Sequence, residues 1–197
     1  MKGQPGLLFI ISGPSGSGKT TLLKKVLSRK ALRHKLAKSI SVTTRPKRSG
    51  ERQGEDYFFV SPEAFRHLKK AKKILEWTKY LGYYYGTKKD FLEENLKSGR
   101  HLALCLDIRG ALKLKKLFPG NTVMIFIDPP SLKELRKRIE GRCCRTKPEE
   151  VNKRVSLAKA ELQNSRRYDY VVKNNNLTRS TARLGGIILN KIRVVKQ

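Results

Sequence analysis

The plainest chemistry in the sequence lies in eight residues, Gly13-Pro14-Ser15-Gly16-Ser17-Gly18-Lys19-Thr20, which fit the phosphate-loop pattern GxxxxGK[ST]. Glycines at 13, 16 and 18 permit tight turns and bring backbone amides against phosphate oxygens. Lys19 is placed to reach the β and γ phosphates of a nucleotide, and the Thr20 hydroxyl can ligate Mg²⁺. The apolar block Leu7 to Ser12 precedes the loop, and the helix former Thr21-Leu22-Leu23-Lys24-Lys25-Val26-Leu27 follows it. The loop therefore feeds a helix N-terminus, whose free N–H groups and positive dipole end attract phosphate. A flexible glycine-rich surface turn requires none of these flanks, nor Lys-Thr directly after its last glycine. Nucleotide binding follows, but such a loop serves GTPases, ATPases, motors and small-molecule kinases alike.

What receives the phosphate must be read elsewhere. The stretch Ser39-Ile40-Ser41-Val42-Thr43-Thr44-Arg45-Pro46-Lys47-Arg48, followed by Gly50-Glu51 and Gly54-Glu55-Asp56-Tyr57, gathers hydroxyls and arginines beside a tyrosine. Arg45 and Arg48 lie three apart in an extended segment, and two guanidiniums on one phosphate supply several charge-assisted hydrogen bonds with fixed fork geometry. An ordinary charged loop has the same composition. Downstream, Leu75-Glu76-Trp77 and Tyr83-Tyr84-Tyr85-Gly86-Thr87 embed polar groups among aromatics. A carboxylate at Glu76 can accept from both the N1–H and the N2 amine of guanine, whereas adenine presents a lone pair to it. A polar mismatch of that kind rejects the wrong base by on the order of 10⁴.

The elements that would position these groups follow from the apolar pattern. Strand-like blocks at Leu7 to Ser12, His101 to Asp107, Val123 to Ile127 and Tyr168 to Val172 are mostly separated by helix-like stretches. This predicts an α/β fold, a parallel sheet flanked by helices. Two regions interrupt the rhythm. The first, over about 39–90, predicts short antiparallel strands around one helix, an inserted α+β lobe. The second, over 131–166, is helical and charged, with Ser131 placed to cap one helix and Pro148-Glu149-Glu150 to open another, a candidate lid. The core is then 1–38, 91–130 and 167–197 of one domain spanning 1–197. Thr178 to Val194 reads as a last helix packing on the sheet.

Bulk properties narrow the function. The 197 residues suffice for one domain with a sizeable core, and no apolar run approaches membrane-spanning length. The run Leu7 to Ile11 is too short for a secretory signal, and Cys105, Cys143 and Cys144 have neither disulfide-framework nor CxxC spacing. A cytoplasmic location with reduced thiols is expected. The net charge of +29, from 45 Lys and Arg against 16 Asp and Glu, favours polyanions, but the lysines are scattered in short groups without a recognised nucleic-acid motif.

Taken together, the phosphate loop, Ser41 to Arg48, Gly54-Glu55-Asp56-Tyr57, Glu76-Trp77 and Tyr85-Gly86-Thr87 resemble the guanylate kinase family in order and spacing. The similarity continues through Asp107-Ile108-Arg109-Gly110, Ile125 to Ser131 and Tyr168-Asp169-Tyr170-Val171-Val172. The resemblance implies a P-loop kinase core, a GMP-binding lobe over 39–90 and a lid over 131–166. It implies that Gly13 to Thr21 hold ATP, with Mg²⁺ on Thr20, and that Asn174 either contacts adenine or terminates a strand. It implies GMP contacts from Ser41, Arg45, Arg48, Tyr57, Glu76, Tyr85, Gly86, Thr87 and Asp107. Lys19, Arg45, the lid arginines Arg138, Arg142 and Arg154, and Asp107 would act in catalysis, although Asp107 can also cap a loop. Cys105, Arg109, Cys143 and Asn175 depart from the family's usual acid, glutamine, glycine and aspartate. The expected partners are ATP and GMP or dGMP, without a membrane, as monomer or homodimer. The rival readings are a non-catalytic module of the same fold and a basic nucleic-acid-binding protein.

Overall fold

The computed structural model describes residues 4–141 and 148–195. In chain order it contains β1 (Leu8–Ser12), α1 (Lys19–Leu27), β2 (Leu36–Lys38), β3 (Val42–Thr43), β4 (Phe58–Phe59) and α2 (Pro62–Lys70). There follow β5 (Ile74–Tyr80), β6 (Tyr83–Lys88), α3 (Lys89–Lys97), β7 (His101–Cys105), α4 (Ile108–Leu117) and β8 (Thr122–Asp128). The chain continues with α5 (Leu132–Glu140), α6 (Pro148–Gln163), a 3₁₀ turn (Asn164–Arg167), β9 (Tyr170–Lys173) and α7 (Leu177–Val194).

Five strands form a sheet in the order β2-β7-β1-β8-β9, every neighbouring pair parallel. Successive side chains on a strand point to opposite faces. In β1, Phe9 and Ile11 therefore join Leu22, Val26, Leu184 and Ile188 from α1 and α7, while Leu8 and Ile10 join Leu92, Ala111 and Leu114 from α3 and α4. A strand covered on both faces must be apolar at every position, and Leu8-Phe9-Ile10-Ile11 is. Each fully buried Leu, Ile or Phe contributes about 1.5–3 kcal/mol, so this sheet is the rigid frame. The expected α/β class is found.

The edge strand β2 was not among the expected blocks. It pairs Leu36 with His101 and Lys38 with Ala103, and its three residues mix apolar and charged side chains because the sheet edge covers them incompletely. At the other edge, β9 begins at Tyr170 rather than Tyr168. The 3₁₀ turn ends at Arg167, Tyr168 and Asp169 bend away from it, with Tyr168 N donating to Ser165 O at 3.2 Å, and the Asp169 carboxylate accepts from Met124 N at 2.7 Å.

A second, four-stranded sheet, β4-β3-β6-β5, packs with α2. It is mixed rather than purely antiparallel, since β3 and β4 run parallel. Leu81 and Gly82 join β5 to β6 with φ of 50° and 87°, the pair of positive angles that a two-residue hairpin turn matched to strand twist requires. Beyond β8, Ser131 Oγ accepts from Glu134 N at 3.1 Å and starts α5, and Pro148 opens α6. Leu135, Ile139, Val151 and Ala158 give these two helices a small core of their own.

Candidate active site

One cleft of about 1070 Å³ is bounded by the loop after β1, the end of β7, the second sheet and α6. It opens at the carboxyl ends of parallel strands, where ligand crevices of open α/β sheets lie.

The loop after β1 is built for close approach. Gly13, Gly16 and Gly18 have φ of 138°, 90° and 92°, a region that side-chain-bearing residues rarely enter. A Cβ on Gly16 would also press Leu135 Cδ1 at 3.0 Å. Ser17 N donates to Pro14 O at 3.0 Å, and Lys19 Nζ folds over the loop to donate to Gly13 O at 2.5 Å and Pro14 O at 2.9 Å. Thr20 lies exposed on the first turn of α1 and lines the cleft, whereas the neighbouring Thr21 is exposed outside it. Asn174 is buried, and its side chain donates to Ser17 O at 2.7 Å, so in this structure it clamps the loop from behind.

Across the cleft Glu76 is buried on β5, and Thr87 Oγ1 on β6 donates to its Oε1 at 2.5 Å. Burial pushes the Glu76 carboxyl up to about 7, against the opposing pull of that hydrogen bond, with the charge of Asp107 adding to the rise. Asp107 caps α4, accepting from Gly110 N at 2.8 Å, and lines the cleft as well. Cap and cleft acid are thus compatible roles for one position. Ser41, Tyr57, Tyr85 and Gly86 complete this side. Tyr57 and Tyr85 meet edge to face at 6.0 Å, and burial holds the Tyr57 phenol at about 12, so it is a hydrogen-bond donor at neutral pH.

The two arginines of the extended segment differ in setting. Arg45 is only 8% exposed, lies 5.5 Å from the Tyr57 ring and 5.7 Å from the Phe59 ring, and donates to both oxygens of Glu51 at 2.7 and 2.9 Å. Burial alone would lower the guanidinium pKa, but the Glu51 and Tyr85 interactions outweigh it and hold the charge. Arg48 is exposed on the cleft wall, and its backbone N donates to Glu51 Oε2 at 2.9 Å. Glu51 therefore closes the turn that presents both arginines. Its function was not legible from spacing, because a carboxylate three residues after Arg48 in a charged loop has no distinctive signature.

On the side of α5 and α6, Arg154 of α6 reaches the cleft, held by Glu150 and donating to Ser15 Oγ at 3.3 Å. Arg138 points instead along α5, donating to Glu134 Oε1 at 3.1 Å and to Asn174 O at 3.4 Å. Arg142 and Cys143 lie outside the described residues. Glu161, unremarked in the sequence, also faces the cleft; burial raises its carboxyl pKa, with Lys19 attracting and Asp107 repelling its charge. Of the departures, Cys105 is in the cleft wall, its thiol raised by burial against the pull of Lys19 and Lys38, while Arg109 and Asn175 are exposed.

Among the described residues no three His, Cys, Asp or Glu side chains gather as a metal cage. One hydroxyl beside a phosphate loop, with remaining positions left to phosphate oxygens and water, is the donor set that Mg²⁺ accepts. No helix among them is long and apolar enough to cross a membrane.

The family model described as Guanylate kinase matches residues 6–191. A guanylate kinase of Bacillus anthracis is 41% identical over 191 residues, covering 97% of this chain and 91% of that one. That of Caldanaerobacter subterraneus subsp. tengcongensis is 44% identical over 184 residues, with 93% and 87% covered. The crystal structure of guanylate kinase from Anaplasma phagocytophilum superposes with a TM-score of 0.76 at 31% identity, covering 95% of this chain and 87% of that one. A phosphate loop facing a buried carboxylate across one cleft, in a chain matched along nearly its whole length, makes this protein a member of the guanylate kinase family.

Proposed function

We propose that this kinase transfers the γ-phosphoryl group of ATP to GMP, or to dGMP, giving ADP and GDP in the cytoplasm. The observation that carries the reading is the shared cleft: the phosphate loop with Lys19 and Thr20 on one side, and the buried Glu76–Thr87 pair with Arg45, Arg48, Tyr57 and Tyr85 on the other. The family match favours neither the non-catalytic module nor the nucleic-acid-binding protein.

Phosphoryl transfer needs alignment and charge neutralisation more than a protein nucleophile, since the acceptor is the phosphate of GMP itself. Glu76 would accept from the guanine N1–H and N2 amine, with Thr87 and Ser41 completing the base site. Arg45, Arg48, Tyr57 and Tyr85 would hold the acceptor phosphate. Gly13 to Thr21 would cradle ATP, its adenine near Asn174. Lys19 would leave the carbonyls of Gly13 and Pro14 for the β and γ phosphates, where charge builds in the transition state. Thr20 would hold Mg²⁺, which when bound would supply positive charge to offset that of the phosphates. Arg154, with Arg138 and Arg142, would close over the phosphates and exclude water. Asp107 would orient Arg45 or water near the phosphates.

A coupled ADP-release assay with GMP, AMP, CMP and UMP tests the proposal. Turnover with GMP far above the other three is expected; comparable turnover with all four would refute the base assignment.

A further inference from the structure

We propose that Gly110, on the first turn of α4, is a specificity-determining residue: its missing side chain is the space in which the Glu76 carboxylate sits to read guanine. The inference rests on the reading of Glu76 given above and adds a residue that itself contacts no base.

A Cβ built on Gly110 would stand 2.6 Å from Glu76 Oε2, 3.1 Å from Glu76 Cδ and 3.4 Å from Leu106 Cδ1. Real Cβ atoms essentially never approach a neighbour at 2.6 Å, so one partner has to move. Helix α4 is poorly placed to do so. Ala111 and Leu114 are fully buried in the sheet core, and Asp107 holds the Gly110 N–H at 2.8 Å. The carboxylate is the freer partner, yet it is confined as well. Thr87 Oγ1 holds its other oxygen at 2.5 Å, the residue is 2% exposed, and from Glu76, opposite Thr87, to Tyr80 the β5–β6 pairing runs on unbroken after a register shift between Ile74 and Glu76. A methyl at 110 would therefore turn the carboxylate away from Thr87 and out of the plane in which two guanine donors meet two oxygens.

The backbone does not ask for glycine here. Gly110 lies inside a regular helix and is not among the positive-φ glycines. Alanine is the better helix former at such a position, so propensity and strain alone both favour replacement. What opposes it is the side chain across the gap. The core sheet, through α4, thus helps set where the second sheet presents its acid.

The test is steady-state kinetics of Gly110→Ala, Glu76→Gln and the double variant with GMP, IMP and ATP varied in turn. IMP keeps the N1–H and lacks the N2 amine. For Gly110→Ala we expect KM for GMP to rise on the order of 10- to 10²-fold, the scale of one charge-assisted hydrogen bond, with KM for ATP unchanged and the GMP-over-IMP preference reduced. In the Glu76→Gln background the same substitution should add little, because the two act on one group. If Gly110→Ala leaves GMP and IMP kinetics intact while Glu76→Gln impairs GMP, the inference fails and the base assignment survives. If Glu76→Gln changes nothing, the assignment itself fails. A parallel rise in KM for ATP and GMP would mark general distortion and overturn the inference. Should Gly110→Ala not fold, Gly110→Ala with Glu76→Asp withdraws the carboxylate by one methylene and should restore folding; a second failure would show that the methyl collides with something other than Glu76.

Discussion

At Glu76 burial and the proposed function pull in opposite directions. Burial, which disfavours the charge, pushes the folded-state carboxyl up to about 7 from its ordinary 4.5. A raised folded pKa means that the group's contribution to stability is complete below the unfolded value and is lost as pH rises through about 7. Guanine needs the ionised form as acceptor. KM for GMP should therefore rise about tenfold per pH unit below that pKa, with KM for ATP flat across the same range. A flat GMP profile would count against Glu76 as base reader. Glu76→Gln, which resembles the protonated acid, should raise KM for GMP above that pKa, match the parent well below it and so remove the dependence, while the ligand-free variant should melt no lower than the parent at alkaline pH. Glu51 makes the complementary case of a charge kept ionised by partners: burial would raise its pKa, yet hydrogen bonds from Arg45 and Arg48 hold it below the usual carboxylate range. Glu51→Gln keeps the shape and loses the charge whose two oxygens both accept from Arg45 Nη2, while Nη1 stays on Pro46 O. We expect KM for GMP to increase on the order of tenfold with KM for ATP unaffected; equal GMP kinetics would show that Arg45 needs no such partner.

Elements differ in how firmly they are held, and the α5–α6 pair, proposed to close over the phosphates, has only a small core. Helices α5 and α6 share a core of Leu135, Ile139, Val151 and Ala158, small beside the two layers that enclose the central sheet. Amides of α6 should consequently exchange with solvent faster than those of β1 and β8, and slow when both nucleotides bind. Equal protection before ligand addition would refute the idea that closure draws on a weakly anchored pair. Arg154 ties α6 to the phosphate loop through Ser15, and Arg154→Ala should lower kcat on the order of 10²-fold with the melting temperature kept. This is also the scale at which sequence legibility divides. The phosphate loop could be read outright, because Gly13 to Thr20 are contiguous and sit between an apolar strand and a helix, so all determinants are local. Strands β1, β7 and β8 could be read because coverage on both faces makes them continuously apolar. The three residues of β2 could not, since their strand character comes from pairing with β7, far along the chain. Glu51, Glu161 and the Gly110–Glu76 contact were hidden for the same reason: each acquires meaning only from a partner that folding brings alongside.

For the whole molecule the governing quantity is charge. With 45 basic and 16 acidic side chains, every acid can be paired and most cations still face water, as Lys24 and Asp56 illustrate. A net +29 on 197 residues repels itself in the compact state more than in the expanded chain, so charge works against folding while helping to gather anionic nucleotides. Both effects act through solvent and are screened. Raising ionic strength from about 0.01 to about 0.15 M shortens the Debye length from about 30 to about 8 Å, so charges farther apart than that no longer act on one another strongly. The melting temperature of the ligand-free protein should therefore rise over this interval, while KM for ATP and GMP rises as long-range attraction fades. The exposed ion pairs would predict the opposite sign for stability, because screening weakens them, but such pairs are worth only about 0–1 kcal/mol each. Repulsion among the unpaired excess outweighs them at this charge. A melting temperature that falls with added salt would show that the pairs dominate, and that the excess lysines are spaced widely enough to leave folding unaffected.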